Sequence, residues 1–257
     1  MSVPRRRLSS GSWLAFSAGL ALAATAGCGA GVIPEIHSES ERLAVARRLA
    51  AGQQCSAAIE LLKTYVANNA GSADVDVALY QLGVCYLDTR EWALAGTQFE
   101  RVLREYPESD SAAAAAFRLG DALFGQTRPV DFDQEYTVKA LDQWQRYLSA
   151  YPGDRYGDLA VRRIAAARTR LATKLLDNGR LYMKLKLYAP ARVYFQRVID
   201  EYSDTPVAGD AWLGLAEAEA GQGHRSEAID RLREVESRFA GRPAAARAAR
   251  LRESLEQ

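Results

Sequence analysis

From Glu39 to the C-terminus, apolar residues recur every three or four positions, the period of helices with one buried face, and short turn-like breaks separate the stretches. Within them a small residue followed four positions later by a large one appears five times: Ala58/Leu62, Ala95/Phe99, Ala140/Trp144, Ala191/Phe195 and Ala228/Leu232. Eleven residues beyond each alanine stands Asn69, Tyr106, Tyr151, Tyr202 or Phe239, and Pro107 and Pro152 follow two of these, where proline stops a helix. This constant offset predicts helical hairpins in which alanine lets two helices approach and the larger residue fills the space beneath. The alanines are spaced by 37, 45, 51 and 37 residues, so the end units are near-regular and the middle ones are enlarged. The 45 implies an insertion around Gly125 to Phe132, containing Pro129. The 51 implies a long first helix from about Tyr156 to Leu185, with Leu159, Ile164, Leu171, Leu175, Leu176 and Leu181 at helical spacings and Gly179 weakening its end. Thr205-Pro206 is expected to open the fifth unit as an N-cap followed by proline at the first helical position. Residues 243–256, rich in Ala and Arg with Leu251 and Leu255, read as the polar-faced closing helix that a stacked array requires.

One unit carries Leu79, Leu82-Gly83, Tyr86, Ala95, Phe99 and Pro107, each at the offset of the tetratricopeptide pattern. Other first helices carry Leu119-Gly120, Gly179 with Tyr182, and Trp212 with Leu215. The expected fold is therefore all-α: a tetratricopeptide-repeat superhelix of about five hairpins plus a C-terminal capping helix. Its divisions are a leader (1–27), a tether (28–38), three N-terminal hairpins (39–152), and two C-terminal hairpins with the cap (153–257).

The leader has a cationic start, Arg5-Arg6-Arg7, then an apolar run from Trp13 to Ala26 that is short for a bilayer span. It ends Thr25-Ala26-Gly27-Cys28, which resembles a bacterial lipobox; the resemblance implies that Cys28 is acylated and becomes the first residue, a stable anchor without a transmembrane helix. An ordinary cleaved signal with a chance cysteine is the alternative. Gly29, where lipoproteins of the inner membrane often carry Asp, is similar to outer-membrane lipoproteins. With Cys28 lipidated, Cys55 and Cys85 remain, either as a disulfide or as two small buried packing residues. The leader holds three of the 33 basic residues and none of the 32 acidic ones, so the remainder has a balance of −2 and no strongly basic face, which argues against nucleic acid as a partner. The two histidines, His37 in the tether and His224 in a turn, have no triad or metal set around them, and there is no Walker A loop or dinucleotide fingerprint. A non-enzymatic protein without metal or cofactor is expected.

The insertion Asp131-Phe132-Asp133-Gln134-Glu135-Tyr136-Thr137, followed by Ala140-Leu-Asp-Gln-Trp144 and Tyr151-Pro152-Gly-Asp-Arg-Tyr156, resembles the BamD (YfiO) family of outer-membrane barrel-assembly lipoproteins. In that family an Asp-Gln-x-x-Thr element leads into such a helix and then a long basic one; Asp133, Gln134 and Thr137 match, while Gly153-Asp154 departs from the usual residues. Arg162-Arg163-Ile164, Arg170-Leu171-Ala172 and Tyr182-x-Lys184 are also similar, and the resemblance covers about Glu41 to Ala240. It implies a lipid-anchored scaffold on the periplasmic face of the outer membrane. Its C-terminal repeats would dock on a POTRA domain of the barrel-inserting subunit, and its N-terminal repeats would receive extended segments of unfolded outer-membrane proteins. In such superhelices the first helix of each hairpin lines the concave face, so Arg47, Tyr80, Val84, Leu87, Asp88, Phe117, Asp121 and Phe124 are the expected peptide-binding residues, each standing alternatively as ordinary core. Asp133, Gln134 and Thr137 are expected to serve partner binding. Arg180 and Lys184, with Lys186, either face the partner or complement the helix dipole. The competing reading is another envelope tetratricopeptide lipoprotein, an adaptor in secretion, pilus or cell-wall machinery.

Overall fold

The computed structural model describes residues 35–257, and among these all regular structure is helical. Eleven helices follow in order: α1 (Glu39–Ala51), α2 (Cys55–Asn68), α3 (Val75–Asp88), α4 (Trp92–Glu105), α5 (Ala112–Gly125), α6 (Glu135–Ala150), α7 (Gly157–Lys184), α8 (Tyr188–Glu201), α9 (Ala208–Gly221), α10 (Arg225–Arg238) and α11 (Pro243–Glu256). They form five antiparallel hairpins and a closing helix, a tetratricopeptide-repeat architecture. The leader and Cys28 lie outside the described residues. Of the tether, Ile36 packs on the first core cluster and Ser38 Oγ caps α1 by accepting from Glu41 N at 3.1 Å.

The repeated pairs are the core of every hairpin. Ala58, Ala95, Ala140, Ala191 and Ala228 are fully buried, as are Leu62, Phe99, Trp144, Phe195 and Leu232. Each large side chain fits because its neighbour lacks one. A Cβ on Gly83 would lie 2.6 Å from the Phe99 ring, and the Phe195 ring is clasped between Gly179 and Gly214, where added Cβ atoms would sit 2.5 and 2.7 Å away. Gly179 therefore makes room for Phe195 inside a helix that continues to Lys184. The predicted endings Asn69, Tyr106, Tyr151, Tyr202 and Phe239 are the C-caps of α2, α4, α6, α8 and α10.

The fifth hairpin opens later than expected. Helix α9 starts at Ala208 behind Val207, while the buried Thr205 hydroxyl donates back to Tyr202 O at 2.7 Å, closing the preceding turn. Leu181 also departs from expectation. It is 54% exposed, because the apolar stripe of α7 outruns the elements that cover it.

Curvature follows from which helices touch. The first helices meet in two runs, α1 with α3 and α3 with α5, then α7 with α9 and α9 with the closing α11, and side chains such as Asp121 and Arg163 join α5 to α7; the second helices make no comparable contact. The odd-numbered helices therefore form the inner row. The enlarged middle is sewn together by Gln134, whose Nε2 donates to Pro129 O (3.0 Å) and Phe132 O (3.1 Å). Its Oε1 accepts from Thr137 Oγ1 (2.9 Å) and from Arg170 Nε on α7 (2.8 Å). Lys174 adds a bond to Asp131 O at 2.5 Å, so the loop 126–134 is pinned against the long helix.

Candidate peptide-binding trough

The inner row differs along its length. On α3, Tyr80, Val84 and Leu87 sit half-buried on one helical face with Asp88 exposed beside them, since positions i, i+4, i+7 and i+8 align. Burial, followed by the neighbouring Tyr156, raises the Tyr80 phenol; Arg118 opposes this. On α5, Asp121 accepts from Arg118 Nη1 at 3.1 Å and from Arg163 Nε of α7 at 3.0 Å. Arg118 lies over the Phe117 and Tyr156 rings at 5.7 and 5.6 Å. Its burial opposes the charge, yet Asp121 and the two tyrosines hold the guanidinium pKa above its ordinary value. Phe124 leans on Trp144, centroid to centroid 5.6 Å. Leu87, Trp92, Arg118, Asp121, Phe124, Gly125 and Arg163 enclose an open cleft of about 320 Å³. It offers apolar walls and a bounded charge triplet to an extended chain.

Of the expected trough residues, the structure brings together Leu87, Asp121 and Phe124, with Tyr80 and Val84 on the adjoining stretch of α3. Arg47 is exposed on α1 and outside this cleft. Phe117 is fully buried, stacked on Tyr156 (4.8 Å, 4° between planes) and tilted against Tyr147, so it works as core. Burial by a non-sequential neighbour decides this, and periodicity cannot report it. Arg118, Trp92 and Arg163 complete the cleft without having been singled out for it. The signal for Arg118 was its place three residues before Asp121, one turn away on the same helix.

The C-terminal inner face is ionic. Arg180 Nη2 reaches Asp210 at 2.9 Å, Arg247 Nη1 reaches the other oxygen of Asp210 at 2.7 Å, and Asp177 stands 3.3 Å from Arg180. Glu217 lies among them, its carboxyl raised by burial, with Arg247 and Arg180 opposing and Asp210 adding to the rise. Behind this face, Glu219 is almost wholly buried and paired with Arg231 at 2.7 Å and Arg192 at 3.8 Å. Lys184 is exposed in the last turn of α7, and Leu181, Leu185 and Leu187 are exposed around it. Of these leucines, Leu181 is the one that the helical spacing had placed among the apolar positions of α7.

Asp133, Gln134 and Thr137 are engaged within the chain. Asp133 Oδ1 accepts from Glu135 N at 2.5 Å at the start of α6, Gln134 anchors the loop, and Thr137 is buried against Gln134. Phe132, Tyr136 and Val138 are the exposed large apolar residues of that segment.

A stack of helical hairpins with an open inner cleft defines a repeat scaffold of the tetratricopeptide class. Residues 44–235 match the YfiO family, described as outer membrane lipoprotein, and the chain belongs to that family. It is similar to the outer membrane protein assembly factor BamD of Caulobacter vibrioides, 27% identical over 141 residues. That match takes in 55% of this chain and 46% of the relative, so it spans less than half of the relative's length. Among solved structures, the yeast Sti1 TPR2AB domain in its pHSP90 complex is 12% identical (TM-score 0.40, 85% of this chain and 98% of that one). YrrB, a TPR protein with an unusual peptide-binding site, is 18% identical (TM-score 0.37, 83% and 92%). No helix of the described residues is long and apolar enough to cross a membrane, and among them no cluster of three or more His, Cys, Asp or Glu could hold a metal ion.

Proposed function

We propose that this chain is a lipid-anchored, non-catalytic scaffold of the outer-membrane β-barrel assembly machinery, held on the periplasmic face through Cys28. Its N-terminal trough receives extended segments of unfolded outer-membrane proteins, and its C-terminal hairpins dock on the POTRA-bearing insertase. The observation that carries the reading is the open cleft lined by Leu87, Trp92 and Phe124 together with Arg118, Asp121 and Arg163. Alternate side chains of an extended client place apolar groups against the walls, while the arginines meet a carboxylate or backbone carbonyls. The exposed leucines near Lys184, rimmed by basic groups, support docking of a folded partner at the other end.

A photocrosslinking residue placed at Tyr80 or at Arg180 in cells tests both halves. Tyr80 is expected to capture unfolded outer-membrane proteins and Arg180 the POTRA-bearing barrel. Capture of one common partner at both positions, or of a secretin ring, overturns the reading.

A further inference from the structure

Cys55 opens α2, the second helix of the first hairpin, and Cys85 lies on α3, the first helix of the next. Both are buried, with their sulfurs 2.7 Å apart and the Cys55 thiol directed at Cys85 Sγ. A disulfide bond is about 2.05 Å long, so closing one here needs a shift of well under 1 Å. We propose that Cys55 and Cys85 form a structural disulfide, made by exchange with a donor disulfide while α2 and α3 come together, which staples the first two repeats.

The burial that brings the thiols together also governs when they react. Desolvation raises both thiols, the Cys55–Cys85 contact raising Cys85 further and lowering Cys55, with Asp88 adding to the rise at each. Thiolate, the attacking species, is thus scarce in the finished fold, and reaction belongs to the stage before packing closes. One cysteine thiolate attacks a sulfur of the donor disulfide and expels a donor thiolate. The second cysteine, as its thiolate, attacks the cysteine sulfur of the mixed disulfide and expels the other donor thiolate, and the two donor thiolates take up the two protons that the cysteines lost. Two cysteine thiols are oxidised, and one donor disulfide is reduced to two thiols. Helix α3 carries Tyr80, Val84 and Leu87 along the trough, so the bond fixes the binding helix to its neighbour through its core side.

The test refolds the full chain with oxidised and reduced glutathione, isolates the helical product, quenches in acid and blocks free thiols with N-ethylmaleimide. Non-reducing peptide mapping should find a Cys55–Cys85 link with Cys28 alkylated. Alkylated or glutathionylated Cys55 and Cys85, or either one joined to Cys28, overturns the proposal. Dithiothreitol should then open the link at least ~100-fold more slowly in the native protein than in urea, because the bond is shielded. Equal rates also overturn it.

Discussion

The inner face of the first three hairpins and that of the last two use the same helix pairing but are finished differently. The N-terminal cleft has Leu87, Trp92 and Phe124 in its walls together with the Arg118–Asp121–Arg163 cluster. Between α7, α9 and α11, Arg180, Asp177, Asp210 and Arg247 satisfy one another across the groove. Both rows carry paired charges and an open cleft, and they differ in lining: Leu87, Trp92 and Phe124 wall the N-terminal one, whereas Asp210, Arg242 and Arg247 stand beside Phe239 in the C-terminal one.

The largest test of the shared scaffold is Phe99→Ala against Phe195→Ala. Each leaves a cavity at the same place in its hairpin and should cost about 3–5 kcal/mol, read by urea denaturation. A loss below about 1 kcal/mol at either site would break the equivalence. Ala95→Leu, which overpacks the N-terminal seam, should cost about 1–3 kcal/mol in the same assay. The difference between the rows is sharpened by Leu87→Asp with Phe124→Ser. This pair should weaken binding of an aromatic-rich peptide about tenfold or more, some 1.4 kcal/mol, while Arg180→Ala leaves it unchanged by fluorescence anisotropy.

The ionic row has its own signature in pH. The raised Glu217 carboxyl favours its protonated form in the fold, so its contribution is fully present below about 4.5 and declines as pH rises from there through the folded pKa. Glu217→Gln should therefore raise Tm at pH 7 and flatten the Tm profile above pH 4.5; an unchanged profile would show the charge to be solvated. The smallest effect is expected at the hairpin turns, where Gln53, Arg90 and Lys186 hold positive φ of 59°, 62° and 58° and the fifth turn uses Gly223. Lys186→Gly should change stability by under about 1 kcal/mol, since relief of the left-handed conformation is offset by a freer unfolded chain.

The alanine–aromatic offset, the five C-caps, the 28-residue reach of α7 and the closing helix were all legible in the chain, because each depends on neighbours within one hairpin, at fixed sequence distance. The family membership suggested by the insertion around Gln134 was legible as well, while the motif at Cys28 lies outside the described residues. What the trough contains was decided by the tertiary structure alone. Phe117 became core when Tyr156, 39 positions away, stacked on it, and Arg118 took its place at the surface. Gln134 is held by Arg170 across a 36-residue separation, and Thr137 donates to the same Gln134 oxygen. Periodicity states that a helix has a buried side; which element covers each turn of that side depends on superhelical stacking, and stacking is set by contacts between hairpins.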